Sequence, residues 1–168
     1  MTRLETFGAV CGVVGGVLRI IAALVPYAAN SPGLEALYFV VDVSLLLGLL
    51  SLYLRAQATM GPAFLAAFVL AFIGLASIVG PDTVRFSIDF YQLGSLIFVV
   101  GLTLMSLMLL RCEQMRLPAL LWLGTAAATV FVATTASPLA FTLAGVTLGG
   151  GFVLAGWQPR AGRGSVTR

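Results

Sequence analysis

Six long apolar runs occupy most of the chain, and short polar or proline-containing segments separate them. Each run is 19 to 22 residues long, the length that an α-helix needs to cross about 30 Å of hydrocarbon. The apolar residues are continuous within each run, whereas a transmembrane β-barrel requires alternation. The pattern predicts an all-α integral membrane protein, a six-transmembrane-helix bundle with helices at about 7–28, 34–54, 61–79, 91–110, 117–136 and 139–157.

The composition leaves no room for a soluble domain, since 60% of the residues are hydrophobic and only 9% are charged. A water-soluble fold of this size needs a far more polar exterior. No linker or block of charge divides the chain, so 1–168 is predicted to be a single membrane domain that ends in a flexible basic tail at 158–168. Prolines near the ends of the first, third and fifth runs are compatible with three helical hairpins, but the demands of topology and of helix starts explain the recurring arginines and prolines at least as well.

The arginines alternate between the two ends of the predicted helices. Seven lie at the N-terminus, after runs two and four, and in the tail, whereas the opposite connections contain only Arg85. This positive-inside bias predicts that both termini are cytoplasmic. Topology therefore accounts for the net charge of +3, and we expect the lipid bilayer as a partner and no nucleic acid. The lysine-free composition, rich in Ala, Gly and Arg, predicts a multi-pass protein of the bacterial cytoplasmic (inner) membrane.

Two opposite charges lie inside membrane-length runs, Arg19 in the first and Asp42 in the second. Each costs about 2.5–3.5 kcal/mol at mid-span on insertion scales, so each requires a partner or a function. Glycines at 8, 12, 15 and 16 share the helix face of Arg19, and such small residues allow close helix packing. Run six has a similar face at Gly145 and Gly149. Arg19 and Asp42 lie at matched depth in adjacent helices, which predicts an intramembrane ion pair in the outer half of the bundle. Such a pair either has the structural role of fixing the first hairpin or lines a polar cavity with a function.

Further polar residues enter the predicted bundle from the same outer side. Glu35 and Tyr38 share a face of helix two with Asp42, and Asp89 and Gln92 begin helix four. We therefore predict a ligand-binding set that consists of Arg19, Tyr38, Asp42, Asp89 and Gln92. The only candidates for catalysis are carboxyl groups that would act as general acids in apolar surroundings: Asp42, Asp89 and Glu35.

Other chemistry lacks the required residue types. The chain has no histidine, which excludes His-based triads and His metal ligands, and no lysine for a Schiff base. We accordingly predict neither a metal nor a cofactor.

Three functions are compatible with these features. The first is a non-enzymatic accessory or regulatory bundle that binds another membrane protein or a small amphiphile. The second is the substrate-binding component of a membrane transporter, which the compact six-helix design resembles in architecture only. The third is a lipid- or isoprenoid-modifying membrane enzyme that uses a carboxyl general acid.

Overall fold

The computed structural model describes residues 3–25, 31–79, 84–85, 88–111, 115–135 and 137–158. Within these ranges the protein is a bundle of six α-helices: α1 (Arg3–Leu24), α2 (Pro32–Ala56), α3 (Pro62–Ser77), α4 (Phe90–Leu109), α5 (Arg116–Thr135) and α6 (Pro138–Trp157). Two-residue strands β1 (Val84–Arg85) and β2 (Ile88–Asp89) pair antiparallel directly before α4. The predicted basic tail lies, apart from Gln158, outside the described residues.

Local sequence signals explain where most of the helices begin. Pro32, Pro62 and Pro138 are the first residues of α2, α3 and α6. Proline suits this position because its fixed φ is helical and the first turn has no intrahelical partner for an N–H. Helix α4 begins after Asp89, whose carboxylate accepts a hydrogen bond of 3.0 Å from the backbone N–H of Gln92. The helices therefore start within two residues of the predicted positions, except α1.

Helix α1 is displaced toward the N-terminus from its predicted range of 7–28. It begins at Arg3, with Glu5 in the first turn, where a carboxylate is favourable beside the helix N-terminus. It ends at Leu24. The following Pro26 explains this end, since a proline disfavours helical geometry in the residue before it and supplies no N–H.

Five helices are long and apolar enough to cross a membrane, and α3 is shorter than predicted. Its 16 residues extend about 24 Å, compared with about 30 Å of hydrocarbon. Gly61 precedes the helix and Pro62 is its first residue, which fixes its start. The sequence Gly80-Pro81, soon after its end, disfavours continuation of the helix.

Helix α1 is central to the packing, because it contacts both α2 and α6 extensively. Helices α3 and α4 form a second close pair, and α5 packs against α6. Less extensive contacts of α2 with α3 and of α4 with α5 close the bundle. The predicted consecutive pairs are thus present as packed neighbours, but α1 and α6 form an equally extensive pair that brings the first and last helices together.

The core is built from aromatic and leucine side chains that α2 to α6 direct inward. Trp122 of α5 packs edge-on against Phe152 of α6, with ring centroids 5.2 Å apart, and both side chains are buried. Thr125 and Thr147 join the same two helices by a hydroxyl hydrogen bond of 3.0 Å. Large apolar side chains also cover the outside, as expected for a lipid-facing surface. Examples on four helices are Phe7, Leu96, Val130 and Leu139.

Candidate functional site

A row of glycines on α1 sets the distance between α1 and α2. A methyl group on Gly12 would lie 3.1 Å from the Cα atom of Gly48, and one on Gly15 would lie 2.7 Å from Cβ of Ser44. The backbones are therefore in near contact, which only very small residues permit. The antiparallel register of these contacts places Arg19, one turn beyond Gly15, level with the α2 turn that contains Tyr38 and Asp42.

Helix α6 covers the other side of the same row. A methyl group on Gly16 would lie 2.5 Å from the carbonyl oxygen of Gly149, and one on Gly145 would lie 2.5 Å from Cβ of Ala23. The same position on Gly145 is 3.9 Å from Nε of Arg19. The prediction that the glycine faces of runs one and six serve helix packing is confirmed, and the two faces pack against each other.

The side chain of Arg19 points into the bundle. Helix α1 exposes a row consisting of Val10, Val14, Val17 and Ile21. At about 100° per residue, Arg19 lies opposite this row and among the packed glycines. The residue is half-buried, and its Nε atom is fully enclosed without a hydrogen-bond partner among the described residues. The prediction that Arg19 shares the packed face is confirmed.

The predicted ion pair between Arg19 and Asp42 is wrong in its direct form. The two side chains form no salt bridge. The guanidinium carbon of Arg19 lies instead 6.0 Å from the ring centroid of Tyr38, one helical turn before Asp42 on α2. Matched depth brings the groups into one region, but the long arginine side chain turns toward the aromatic ring.

Asp42 nevertheless lies within the electrostatic range of Arg19. Its side chain is half-buried, and it accepts no hydrogen bond from the residues that the structure describes. We call the group formed by Arg19, Tyr38 and Asp42 the Arg19–Asp42 site. It holds one positive and one negative group, close together and not in contact, beside an aromatic ring.

The other predicted site residues have surroundings that differ from those of the Arg19–Asp42 site. Glu35 is exposed at the start of α2, and Gln92 is exposed in the first turn of α4. Asp89 is half-buried and its carboxylate caps α4, which gives it a structural role. Within the described residues, no hydrogen bond or ion pair joins these three side chains to Arg19 or Asp42, so the charged groups that lie together are those on α1 and α2.

Some packing positions were not recognised in the sequence. A methyl group on Gly94 would approach Ile78 to 2.7 Å, and Gly74 and Gly101 pack directly against backbone atoms of the facing helix in the α3–α4 pair. Gly94 and Gly101 are seven residues apart on α4, a spacing that could have indicated this interface.

A link at the opposite end of the bundle was also not recognised. The Nη2 atom of Arg55 donates a hydrogen bond of 3.0 Å to the carbonyl oxygen of Ala155, and the Ser51 hydroxyl donates one of 2.7 Å to the carbonyl oxygen of Glu5. Arg55 therefore contributes to helix association in addition to its charge. Its position after an apolar run indicated topology only.

In the described part of the chain, no three His, Cys, Asp or Glu side chains are grouped so that they could hold a metal ion. The arrangement can bind opposite charges and orient a polar group next to an aromatic ring. No known protein family, no curated protein and no solved structure matches this chain.

Proposed function

We propose that this protein is a non-enzymatic membrane bundle, of the accessory or regulatory kind, that binds a small amphiphile at the Arg19–Asp42 site. The observation that carries the proposal is the burial of Arg19 and Asp42 without hydrogen-bond partners in the described structure. Both are half-buried, both lie within the packed helices, and neither has a hydrogen-bond partner among the described residues. Charges in such a place are costly unless something compensates them.

The glycine packing favours a binding role for Arg19 and Asp42 over a structural role in holding two helices together. Direct backbone contacts already hold α1 against α2 and α6. An ion pair is therefore not needed to fix the first hairpin, and the two charges do not form one. Their charges are therefore left for a ligand to compensate.

The membrane orientation is part of the proposal. The arginine distribution favours cytoplasmic termini in a bacterial inner membrane, which places the Arg19–Asp42 site in the outer half. Helix α3 would cross as a sixth span where the bilayer thins locally.

The orientation is tested with single cysteines at Ser137 and Ser165, in a background in which both native cysteines are serine. An impermeant maleimide should label Ser137→Cys in intact spheroplasts and Ser165→Cys only after permeabilisation, and the reverse would refute the orientation.

The binding role is tested by purifying the protein with its native lipids and identifying the copurifying molecules by mass spectrometry. Arg19→Gln and Asp42→Asn should both lose a compound that the wild type retains. The matched controls are Arg111→Gln and Glu5→Gln, which remove the same charges far from the site and should retain it.

The identity of the lost compound distinguishes the functional alternatives. A lipid or another amphiphile supports the proposal. A water-soluble compound would favour a transporter component, and a chemically altered lipid would favour an enzyme. Unchanged contents in both site variants would refute a ligand at this site.

A further inference from the structure

We infer that the ligand of the Arg19–Asp42 site is a zwitterion, with its anionic group on Arg19 and its ammonium group on Asp42. The inference rests on the proposed binding role and adds the chemical class of the ligand. It follows from the charges, the donors and acceptors and the aromatic ring of the site.

The charge balance selects against singly charged ligands. A purely anionic ligand would pair with Arg19 but would be repelled by the nearby carboxylate of Asp42. A purely cationic ligand would meet the opposite problem. A ligand with both charges can pair with both groups, since they lie within electrostatic range of each other without a direct salt bridge.

The geometry of the donors and acceptors agrees with this assignment. The guanidinium of Arg19 is a planar set of N–H donors, which suits the oxygens of a phosphate or carboxylate. The carboxylate of Asp42 only accepts hydrogen bonds when ionised, and an ammonium group only donates them. Tyr38, one turn from Asp42 on α2, places an aromatic ring beside the two charges, with the Arg19 guanidinium 6.0 Å from its ring centroid.

The phosphoethanolamine group has this chemistry, both as the headgroup of a phospholipid and as a free small molecule. The apolar side chains on the outside of the helices suit a ligand that carries acyl chains. The source of the headgroup is decided by competition in the experiment below.

The test is native mass spectrometry of the full-length protein with added phosphatidylethanolamine or phosphatidylglycerol, which share a phosphate but differ in the ammonium group. We expect the wild type to retain phosphatidylethanolamine at least 10-fold better. Asp42→Asn should remove this preference by lowering the retention of phosphatidylethanolamine to that of phosphatidylglycerol, because the ammonium group then loses its carboxylate partner. Arg19→Gln should weaken retention of phosphatidylethanolamine about 10-fold.

The controls separate binding from folding. Asp42→Glu conserves the charge and should keep the preference, and the wild-type comparison of the two lipids requires no variant. A preference of Asp42→Asn equal to that of the wild type would overturn the inference, because a purely structural carboxylate would not change lipid selectivity. If free phosphoethanolamine displaces phosphatidylethanolamine, the site binds the zwitterion as a soluble compound. If phosphatidylethanolamine is retained in its presence, the site binds the zwitterion as a lipid headgroup.

Failure of the inference differs from failure of the proposed function. Equal retention of both lipids by the wild type, with loss of both in Arg19→Gln, would refute the zwitterion and leave a ligand site. Retention that is independent of Arg19 and Asp42 would refute both.

Discussion

Gly149 and Gly150 are adjacent in α6, yet the structure predicts opposite effects for the same substitution. A methyl group on Gly149 would collide with the carbonyl oxygen of Gly16 and lie 3.2 Å from the backbone nitrogen of Ile20. A methyl group on Gly150 would meet only the end of the Leu121 side chain, at 3.4 Å. Gly149→Ala therefore tests the α1–α6 contact, and Gly150→Ala is its control.

The size of the effect follows from the reciprocal contact. A methyl group on Gly16 would lie 2.5 Å from the carbonyl oxygen of Gly149, about 0.9 Å closer than an ordinary contact of 3.4 Å. Because the obstacle is backbone, the two helices must separate. Overpacking of this kind costs about 1–3 kcal/mol. Replacing glycine by alanine in a helix gains about 1 kcal/mol of helix propensity, and this gain is common to both variants.

We expect the free energy of unfolding of Gly149→Ala to be about 1–3 kcal/mol below that of Gly150→Ala. Gly150→Ala should equal or exceed the wild type. The measurement is SDS-induced unfolding in mixed micelles, followed by tryptophan fluorescence. We expect the change to come from Trp122, which is buried against Phe152, since Trp157 is already exposed. Gly16→Ala should resemble Gly149→Ala. Equal stability of the two neighbouring variants would refute the close approach of α1 and α6.

Three further substitutions test single contacts in the same unfolding assay. Asp89→Ala should lower the free energy of unfolding by about 1 kcal/mol through loss of the α4 cap, and Asp89→Asn should keep most of it; equal losses would contradict the capping role. Arg55→Gln should cost about 1 kcal/mol by weakening the hydrogen bond to the Ala155 carbonyl near the end of α6, and no loss would show that this bond is not maintained. Thr125→Val should cost about 0.6 kcal/mol, the usual value for a hydroxyl bond between membrane helices, and a stabilised variant would argue against the bond to Thr147.

The candidate site was predictable in part from the sequence. Spacing on a helix placed Arg19 on the glycine face, and this holds because side-chain direction from a regular helix depends only on residue number. The same reasoning failed for the ion pair. Matched depth brings Arg19 and Asp42 into one region, but the rotamers of a long side chain decide whether it meets the carboxylate or the ring of Tyr38. For Asp89, the sequence indicated a polar group and the structure identifies a helix cap.

By itself, the sequence determined the six helices, their approximate ends and the faces on which glycines lie, because a long apolar run in lipid must satisfy its backbone hydrogen bonds within a helix. Only the tertiary structure decided which helices those faces meet. It places the Gly16 face of α1 against Gly149 of α6, and Gly12 against Gly48 of α2. Helices that are apolar nearly all round have no single preferred face in lipid, so their partners depend on how closely backbones fit together. That fit also brings Arg19 and Asp42 near each other, and the direction of the Arg19 side chain toward Tyr38 then decides that they do not pair.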